Sequence, residues 1–345
     1  MNCVENVKIE IISACVPKNT IKNSDLGLDS VMSNKEISKF EKITGIKERR
    51  YAEKNSTASD IALSCAENIF QNTNIKRSEI GTVLWVSQTS DYIIPFTSNI
   101  LQDKLKLNTN TLCIDINAGC AGFIQGLYTA YLMAQNSDKK VLLLVSETLS
   151  KIISSNDRST TPIFGDGSAA LVVSKSKSNT KSYFEFYSDG KNYDKIIIPD
   201  GGFRSMINEK SFLNYSEENP KTKLFMDGSA VFDFTMREIP LSINNFLKDL
   251  NININDISYF AAHQSNRFII NQIAQKVGLP EEKILLNICH YGNTSGVSIP
   301  LLLVTNKNEY TPSTNLLCTG YGSGLNWGNC LISLKETKIL DLKEI

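Results

Sequence analysis

The sequence has few of the residues that metal and redox sites require. It contains two histidines and eight cysteines, and no two cysteines are spaced as CxxC. Zinc ribbons and thioredoxin-type sites depend on that spacing, so the sequence supports neither of them. Because a Cys/His cage would need more histidines, we expect no metal. Scattered cysteines without pairing motifs are typical of reduced thiols in a cytoplasmic protein.

Net charge and long apolar runs are also missing. Lysine plus arginine and aspartate plus glutamate each number 36, so no overall field attracts the protein to nucleic acid or to a membrane. No segment reaches the roughly 18 uninterrupted apolar residues of a membrane span. The N-terminal residues carry Glu5 and Glu10 and predict a strand rather than a signal peptide. We therefore expect a globular cytoplasmic protein without nucleic-acid or membrane partners.

The length and a faint internal repeat indicate a duplicated domain. At 345 residues the chain is long for a single core. Gln88 and Gln264 each follow an acidic residue and an apolar run, and they lie 176 residues apart. Other segments repeat at nearly this spacing, which predicts two similar halves, residues 1–175 and 176–345, joined within the polar stretch 174–224. Chance similarity of short apolar runs is the alternative that this pattern leaves open.

Strands alternate with helical patterns in each half, which predicts an α/β protein with mostly parallel pairing in the core. Residues 57–70 place apolar side chains on one helix face, and Asp60 follows Thr57 at the spacing of a capping box. The predicted helix of residues 230–250 contains Pro240, which we expect to kink or break it.

Cys120 lies in the segment DINAGCAGF, between an apolar strand and an apolar helix. A thiol at a helix N-terminus faces the positive end of the peptide dipoles, which predicts a pKa lowered from about 8.5 towards neutrality. Gly119 and Gly122 permit the sharp turn that exposes a nucleophile. From this segment alone, a small buried structural cysteine is an equally good interpretation.

Two polar residues in the second half are candidates for the same site. His263 ends an apolar strand and suits either a pocket or a satisfied position in the core. Asn293 lies in YGNTSG, 173 residues after Cys120, where a simple turn asparagine is the competing explanation. The glycine-rich segment GYGSGLNWG follows a strand, so its backbone N–H groups could face an oxyanion, and a plain tight turn is the competing explanation. His290 has no polar motif nearby and is predicted to be a surface or structural residue.

Taken together, these motifs carry a resemblance to a known family. DINAGCAGF, FGDGSAA, HQSN, YGNTSGVSIP and GYGSGLNWG occur in this order, and TGIKERRYA precedes them. The chain thereby resembles the β-ketoacyl-acyl-carrier-protein synthase III family of the thiolase superfamily, over about residues 44 to 328. The resemblance implies a thiolase-like five-layered αβαβα sandwich that is built from two duplicated βαβαβ halves.

The resemblance also implies a reaction and a set of catalytic residues. Cys120 would accept an acyl group from acyl-CoA or another acyl thioester, with His263 and Asn293 completing the site. A malonyl thioester, carried by acyl carrier protein or another carrier, would then lose CO2 and condense to a β-ketoacyl thioester. The backbone N–H groups of Cys120 and Ser323 would hold the acyl oxyanion. The family usually has glycine at Ser323, and no cofactor is implied beyond these thioester substrates.

Departures from the family pattern bear on the substrate and the carrier. Lys39 occupies the position of a tryptophan that often stacks on the adenine of CoA, whereas the second clamp residue is retained as Arg158. Ile94, in the segment that crosses the family's homodimer interface, replaces a frequent phenylalanine. Arg267 and Lys276 are the cations that remain in a carrier-docking patch that usually has more of them.

Other functions are compatible with the same motifs. The acyl group of Cys120 could pass to an alcohol, amine or sugar without decarboxylation, although the pair of His263 and Asn293 argues against this. A non-catalytic binding protein on the same scaffold would be signalled by loss of the cysteine or the histidine, and both are present. The family motifs argue against a general cysteine hydrolase.

Overall fold

The computed structural model describes residues 1–27, 32–212, 214–216, 219–311 and 313–345. Residues 213, 217 and 218 of the predicted linker lie outside the described residues. In chain order, the α-helices of the described residues are α1 (Asn34–Thr44), α2 (Ala58–Asn72), α3 (Thr97–Lys104), α4 (Gly122–Gln135), α5 (Gly228–Asp249), α6 (Arg267–Val277), α7 (Ile288–Tyr291) and α8 (Ser298–Thr305).

The strands form two large sheets and three short two-stranded pairs within the described part of the chain. In chain order they are β1 (Asn2–Glu5), β2 (Val7–Val16), β3 (Thr20–Lys22), β4 (Glu48–Arg50), β5 (Ile80–Val86), β6 (Leu112–Ile116), β7 (Lys140–Glu147), β8 (Gly167–Lys175), β9 (Lys181–Ser188), β10 (Ile196–Ile197), β11 (Asn214–Ser216), β12 (Asn219–Pro220), β13 (Phe225–Met226), β14 (Tyr259–Ala262), β15 (Asn315–Gly322), β16 (Asn326–Ser333), β17 (Lys338–Ile339) and β18 (Lys343–Glu344).

The two large sheets repeat one strand arrangement. In the first sheet, β2, β8, β7, β5 and β6 lie side by side in that order, and the last three run parallel. In the second sheet, β9, β16, β15 and β14 take the same order with the same relative directions. Ile284 forms a parallel bridge with Phe260 of β14, at the place that corresponds to β6. A duplicated βαβαβ unit accounts for this match.

The terminal strands cross between the sheets. β1 pairs with β9 of the second sheet, whereas β17 and β18 pair with β2 of the first. Each half therefore supplies edge strands to the sheet of the other half. The exact division into residues 1–175 and 176–345 stays a prediction.

Helices and sheets alternate in five layers. The outer face of the first sheet is covered by α2 and α3, and the outer face of the second by α5 and α6. Between the sheets lie α4 and α8, and α4 contacts β7 and β8 on one side and β15 and β16 on the other. The apolar cluster around these central helices includes Phe123, Leu127 and Leu302, all fully buried. The predicted thiolase-like αβαβα sandwich is thereby confirmed.

Pro240 lies inside α5 and does not break it, so that part of the prediction is wrong, whereas a kink at this position stays a prediction. The helix continues from Gly228 to Asp249. Proline lacks the N–H that would bond to the carbonyl of Met236, four residues earlier. The Nζ of Lys276 on α6 donates to that carbonyl at 2.8 Å instead, so the acceptor has a partner and the helix continues.

Two local predictions are confirmed. The N-terminal residues form the strands β1 and β2. The backbone N–H of Thr57 donates to the carboxylate of Asp60 at 3.0 Å, as in a capping box at the start of α2. Among the helices of the described residues, none combines the length and apolarity needed to cross a bilayer.

Candidate active site

A cavity of about 290 Å³ lies where the two halves of the chain meet. Its lining includes Cys120 from the first half and His263, Asn293 and Ser323 from the second. The structure therefore brings together the four residues that the sequence assigned to one site. Most of the remaining wall is apolar, with side chains such as Leu149, Ile152, Ile163, Phe164, Leu224, Met226, Val231 and Ile269.

Cys120 lies in the turn between β6 and α4 and is packed against the end of β15. A Cβ atom placed on Gly322 would lie 2.9 Å from the Sγ of Cys120 and 2.6 Å from its Cβ. Only glycine therefore fits at position 322. This close approach puts the backbone of the GYGSG segment beside the thiol, where an acyl carbonyl would be held.

The prediction of a lowered thiol pKa is wrong for this structure. Burial raises the pKa of Cys120 to about 11, although a hydrogen bond with the Ser295 hydroxyl, at 3.5 Å, acts in the opposite direction. The helix α4 begins at Gly122, two residues after the cysteine. None of the described residues that line the cavity is a lysine or an arginine. Desolvation therefore dominates, because no positive charge offsets it.

His263 follows β14 and is buried against the centre of the molecule. Its Nδ1 lies 2.8 Å from the hydroxyl of Ser298, the first residue of α8. The ring meets that of Tyr321 edge-on, with 5.3 Å between centroids. Burial lowers the pKa of His263 to about 3, and a backbone group of Ser295 opposes this shift. The imidazole is therefore neutral near pH 7.

The carboxamide of Asn293 has a fixed orientation. Its backbone N–H donates to the carbonyl of Ile163 at 2.9 Å, and its own carbonyl accepts from the N–H of Gly165 at 3.0 Å. The side-chain Oδ1 accepts from the backbone N–H of Ser295 at 2.8 Å. Because the oxygen is occupied in this way, the NH2 group is left to donate into the cavity.

Ser295 is a member of the site that the sequence did not reveal. It contacts Cys120 through its hydroxyl and Asn293 through its backbone N–H, and its backbone also influences His263. Its φ of 52° lies in the left-handed region, which non-glycine residues rarely adopt. Both Ser295 and Ser298 lie in the motif YGNTSGVSIP, but nothing in its spacing distinguishes them from ordinary turn serines.

A buried carboxyl group near Cys120 was also missed by the sequence analysis. Glu147 ends β7 and is fully buried. Its carboxylate accepts from the Gln88 backbone N–H at 3.0 Å, the Thr89 hydroxyl at 2.7 Å and the Ser87 hydroxyl at 3.3 Å. Burial raises the pKa of Glu147 to about 7 in spite of these donors. The signal in the sequence was a glutamate at the end of an apolar strand.

The predicted substrate and docking residues do not line the cavity. Arg158 and Lys39 are exposed, and Ile94 is 81% exposed. The guanidinium of Arg267 donates to the carbonyl of Lys42 at 2.8 Å, and the Nζ of Lys276 donates to the carbonyl of Met236 on α5. Their predicted roles are not tested by these positions.

His290 is exposed, as predicted from its sequence context. Its Nδ1 lies 3.1 Å from Glu48 Oε1, and 63% of its side chain is accessible to solvent. The described residues contain no group of three or more His, Cys, Asp or Glu side chains that could hold a metal ion. The polar groups that line the cavity are therefore one thiol, one neutral imidazole, several carboxamides and hydroxyls, and nearby backbone donors.

Comparison with known proteins agrees with this geometry. The family models for 3-oxoacyl-[acyl-carrier-protein (ACP)] synthase III and its C-terminal part match residues 114–190 and 247–334. The β-ketoacyl-[acyl-carrier-protein] synthase III of Clostridium tetani is 34% identical over 338 residues, covering 95% of this chain and 99% of that protein. The corresponding protein of Clostridium acetobutylicum is also 34% identical, covering 96% of this chain and 99% of that one.

A solved structure shows the same arrangement over the whole chain. The 3-oxoacyl-(acyl-carrier protein) synthase of Burkholderia xenovorans LB400 matches with a TM-score of 0.93 and 29% identity. The match covers 100% of this chain and 98% of the other. Since relatives above 30% identity also align over nearly the full length, this chain belongs to the 3-oxoacyl-[acyl-carrier-protein] synthase III family.

Proposed function

We propose that this enzyme forms an acyl-cysteine on Cys120 and condenses it with a malonyl thioester to give a β-ketoacyl thioester. The observation that carries the proposal is the convergence of a thiol and two neutral hydrogen-bond donors, His263 and Asn293, in one cavity. Acyl transfer needs a nucleophile and donors for the acyl oxygen, whereas decarboxylation needs a second set of donors for an enolate oxygen. The cavity supplies both.

In the first half-reaction, the Sγ of Cys120 attacks the carbonyl carbon of an acyl thioester, with acyl-CoA as the proposed donor. A new S–C bond forms, the C–S bond to CoA breaks, and the thiol proton leaves with the CoA sulfur. Because burial raises the pKa of Cys120 to about 11, the resting group is the thiol, and its proton is transferred in the same half-reaction in which CoA leaves. The backbone N–H groups of Cys120 and Ser323 are the proposed donors to the acyl oxygen, with Gly322 allowing their approach.

In the second half-reaction, a malonyl thioester loses CO2. The C–C bond to the carboxylate breaks and its electron pair moves to the thioester oxygen as an enolate. When the Ser298 hydroxyl donates to Nδ1 of His263, Nε2 carries the proton and donates to that oxygen. The NH2 group of Asn293 is the second donor. The enolate carbon then attacks the acyl carbonyl, and Cys120 leaves as the thiolate and is reprotonated.

The proposed contacts to CoA are Arg158 and Lys39, outside the cavity. Ser159, the neighbour of Arg158, lines the cavity. Hydrogen bonds from Ser33, and to a smaller extent the charge of Arg158, lower the pKa of Glu36 on α1. Arg158 therefore lies near α1, the helix that carries Lys39, as a shared nucleotide site requires.

For the carrier, we propose contacts with Arg267 and Lys276 on α6. Both residues are exposed. Between them in the sequence, Phe268 stacks on Phe232 of α5 with 6.4 Å between ring centroids, and Phe232 also lines the cavity. The surface of α5 and α6 beside the cavity therefore combines two cations with an aromatic pair, which favours a carrier that offers apolar as well as acidic groups.

We also propose a homodimer in the cytoplasm. Ile93 and Ile94 are 73% and 81% exposed in a loop that also carries the exposed Tyr92 and Phe96. β6, at the edge of the first sheet, has unpaired backbone groups along one side and an exposed Leu112. A second copy that covers both features would remove them from solvent. The eight cysteines are all free thiols, which suits a reducing compartment.

The proposal is tested by following the two half-reactions separately. The protein is incubated with a panel of acyl-CoAs, and the mass of the intact chain is compared with that of Cys120→Ser. Malonyl thioesters carried by CoA or by acyl carrier protein are then added, and CO2 and the β-ketoacyl product are measured. An enzyme that acylates Cys120 but transfers the group to an alcohol, amine or sugar without CO2 release would be the alternative acyltransferase.

A further inference from the structure

We propose that Gln88 is a positioning residue for the oxyanion hole, because it connects the turn of Cys120 with the turn of Ser323. This inference rests on the proposed function, in which backbone N–H groups of those two residues hold the acyl oxygen. One donor comes from the first half of the chain and the other from the second. Neither half alone fixes the distance between them, so a group that touches both turns can set it.

On one side, Gln88 holds the turn of Ser323. Its Nε2 donates to the Ser323 hydroxyl at 3.1 Å. The Nδ2 of Asn326 donates to the carbonyl oxygen of Ser323 at 3.1 Å. The residue is thus held through its side chain and through its backbone, which fixes the peptide that follows β15. A glycine at this position would keep the backbone N–H and lose the contact with Gln88.

On the other side, Gln88 packs against the turn that precedes Cys120. A Cβ atom placed on Gly119 would lie 2.1 Å from the Oε1 of Gln88. The absence of a side chain at position 119 therefore allows the amide to approach this turn closely. Gln88, Cys120 and Ser323 all line the same cavity, so the amide contacts both turns at the edge of that cavity.

The backbone of Gln88 is held in place by a buried carboxyl group. Its backbone N–H donates to Glu147 at 3.0 Å, and the flanking Ser87 and Thr89 donate to the same buried carboxyl group. The hydroxyl of Thr89 also accepts from the backbone N–H of Thr148 at 3.0 Å. The turn after β5 is thereby tied to the end of β7, and the Gln88 side chain reaches the second half from a rigid position.

The experiment compares acylation of Cys120 with its alkylation by iodoacetamide. Both reactions need the thiolate, but only acylation develops negative charge on a carbonyl oxygen. Gln88→Ala, Ser323→Ala and the double variant are measured with the acyl-CoA that loads the wild-type enzyme. Each single variant is expected to acylate about three- to tenfold more slowly, the range for one accessible neutral hydrogen bond. The double variant is expected to be no slower than Gln88→Ala, because the hydrogen bond to Ser323 is already lost in that variant.

The control is Gln135→Ala, the same substitution at the far end of α4. It removes a hydrogen bond from Nε2 to the Glu5 carbonyl at 3.1 Å. We expect it to alter neither rate, and all variants to alkylate at the wild-type rate. Unchanged acylation in both single variants, multiplied losses in the double variant, or parallel losses in alkylation would each overturn the role of Gln88. A wild-type enzyme that accepts no acyl group would instead overturn the proposed function.

Discussion

Two substitutions at Asn293 separate its proposed donor role from a structural one. In Asn293→Ala, both the NH2 group and the Oδ1 that accepts from Ser295 at 2.8 Å are lost. In Asn293→Asp, an oxygen remains to accept from Ser295, and only the donor is removed. If Asn293 acts solely by holding Ser295, the aspartate variant should retain activity. If it donates to the enolate, both variants should fail at the same step.

The expected size of the effect follows from the geometry of the site. The carboxamide is buried and oriented, so its NH2 group acts as a preorganised donor in a largely apolar cavity. Removal of one such donor typically costs about 2.7–4 kcal/mol of transition-state stabilisation, or about 10²–10³ in rate. We expect CO2 release from a malonyl thioester to fall by this factor in both variants. Acylation of Cys120 should change by less than about tenfold, since the acyl oxyanion is assigned to other donors.

The assay follows CO2 release with a labelled malonyl thioester and acylation by mass spectrometry of the intact protein. Asn253→Asp is a matched control, because the Oδ1 of Asn253 also accepts from the backbone N–H two residues later, at 2.9 Å, on the exposed surface. It should leave both half-reactions unchanged. Wild-type CO2 release by Asn293→Asp, or equal losses in the two half-reactions, would refute the donor role.

Three further predictions concern the thiol, the imidazole and its partner. Cys120→Ser should show no acyl adduct after incubation with acyl-CoA, and a persisting adduct on the intact chain would contradict the assignment of the nucleophile. Because the pKa of Cys120 is raised to about 11, its alkylation by iodoacetamide should rise about tenfold per pH unit between pH 7 and pH 10; a plateau below pH 8 would show a lowered pKa instead. Ser298→Ala removes the partner of His263 Nδ1 at 2.8 Å. It should slow CO2 release about tenfold and leave the alkylation of Cys120 unchanged. Changed alkylation with unchanged CO2 release would indicate instead that Ser298 acts on the thiol.

The fold was predictable because the pattern of elements repeats. Apolar strands alternate with amphipathic helices, and the spacing between Gln88 and Gln264 is the spacing between equivalent ends of β5 and β14. The crossing of β1 and β17 into opposite sheets was not predictable, because short edge strands carry no periodic signal. The hydrogen bond from Lys276 to the carbonyl of Met236, beside Pro240, was not predictable either, because the two residues are distant in sequence and adjacent in space.

Within the site, the identities of the residues were predictable from the sequence, whereas the thiol pKa and the backbone conformation of Ser295 were not. Cys120, His263 and Asn293 lie in distinct motifs, so the sequence found them. The thiol pKa was predicted in the wrong direction, because a local argument from the helix N-terminus omitted the desolvation that both halves impose together. Ser295 was missed because its function comes from a left-handed backbone and contacts from three directions, which have no one-dimensional signature.

The equivalent glutamines show how a duplicated scaffold produces one asymmetric site. Gln264 is buried, and its amide contacts only its own half in these bonds: it donates to the carbonyls of Ala262 and Leu285 at 3.0 and 3.3 Å. Gln88, at the corresponding strand end, reaches across to Ser323 in the other half. The same position therefore makes contacts within one half in one copy and between the halves in the other. We expect Gln264→Ala to lower the thermal midpoint of unfolding by several degrees, because it removes buried hydrogen bonds and costs about 1–3 kcal/mol of stability. Gln88→Ala should leave the midpoint within about one degree of wild type. Equal midpoints for the two variants in a thermal scan would contradict the distinction between a stabilising Gln264 and a positioning Gln88.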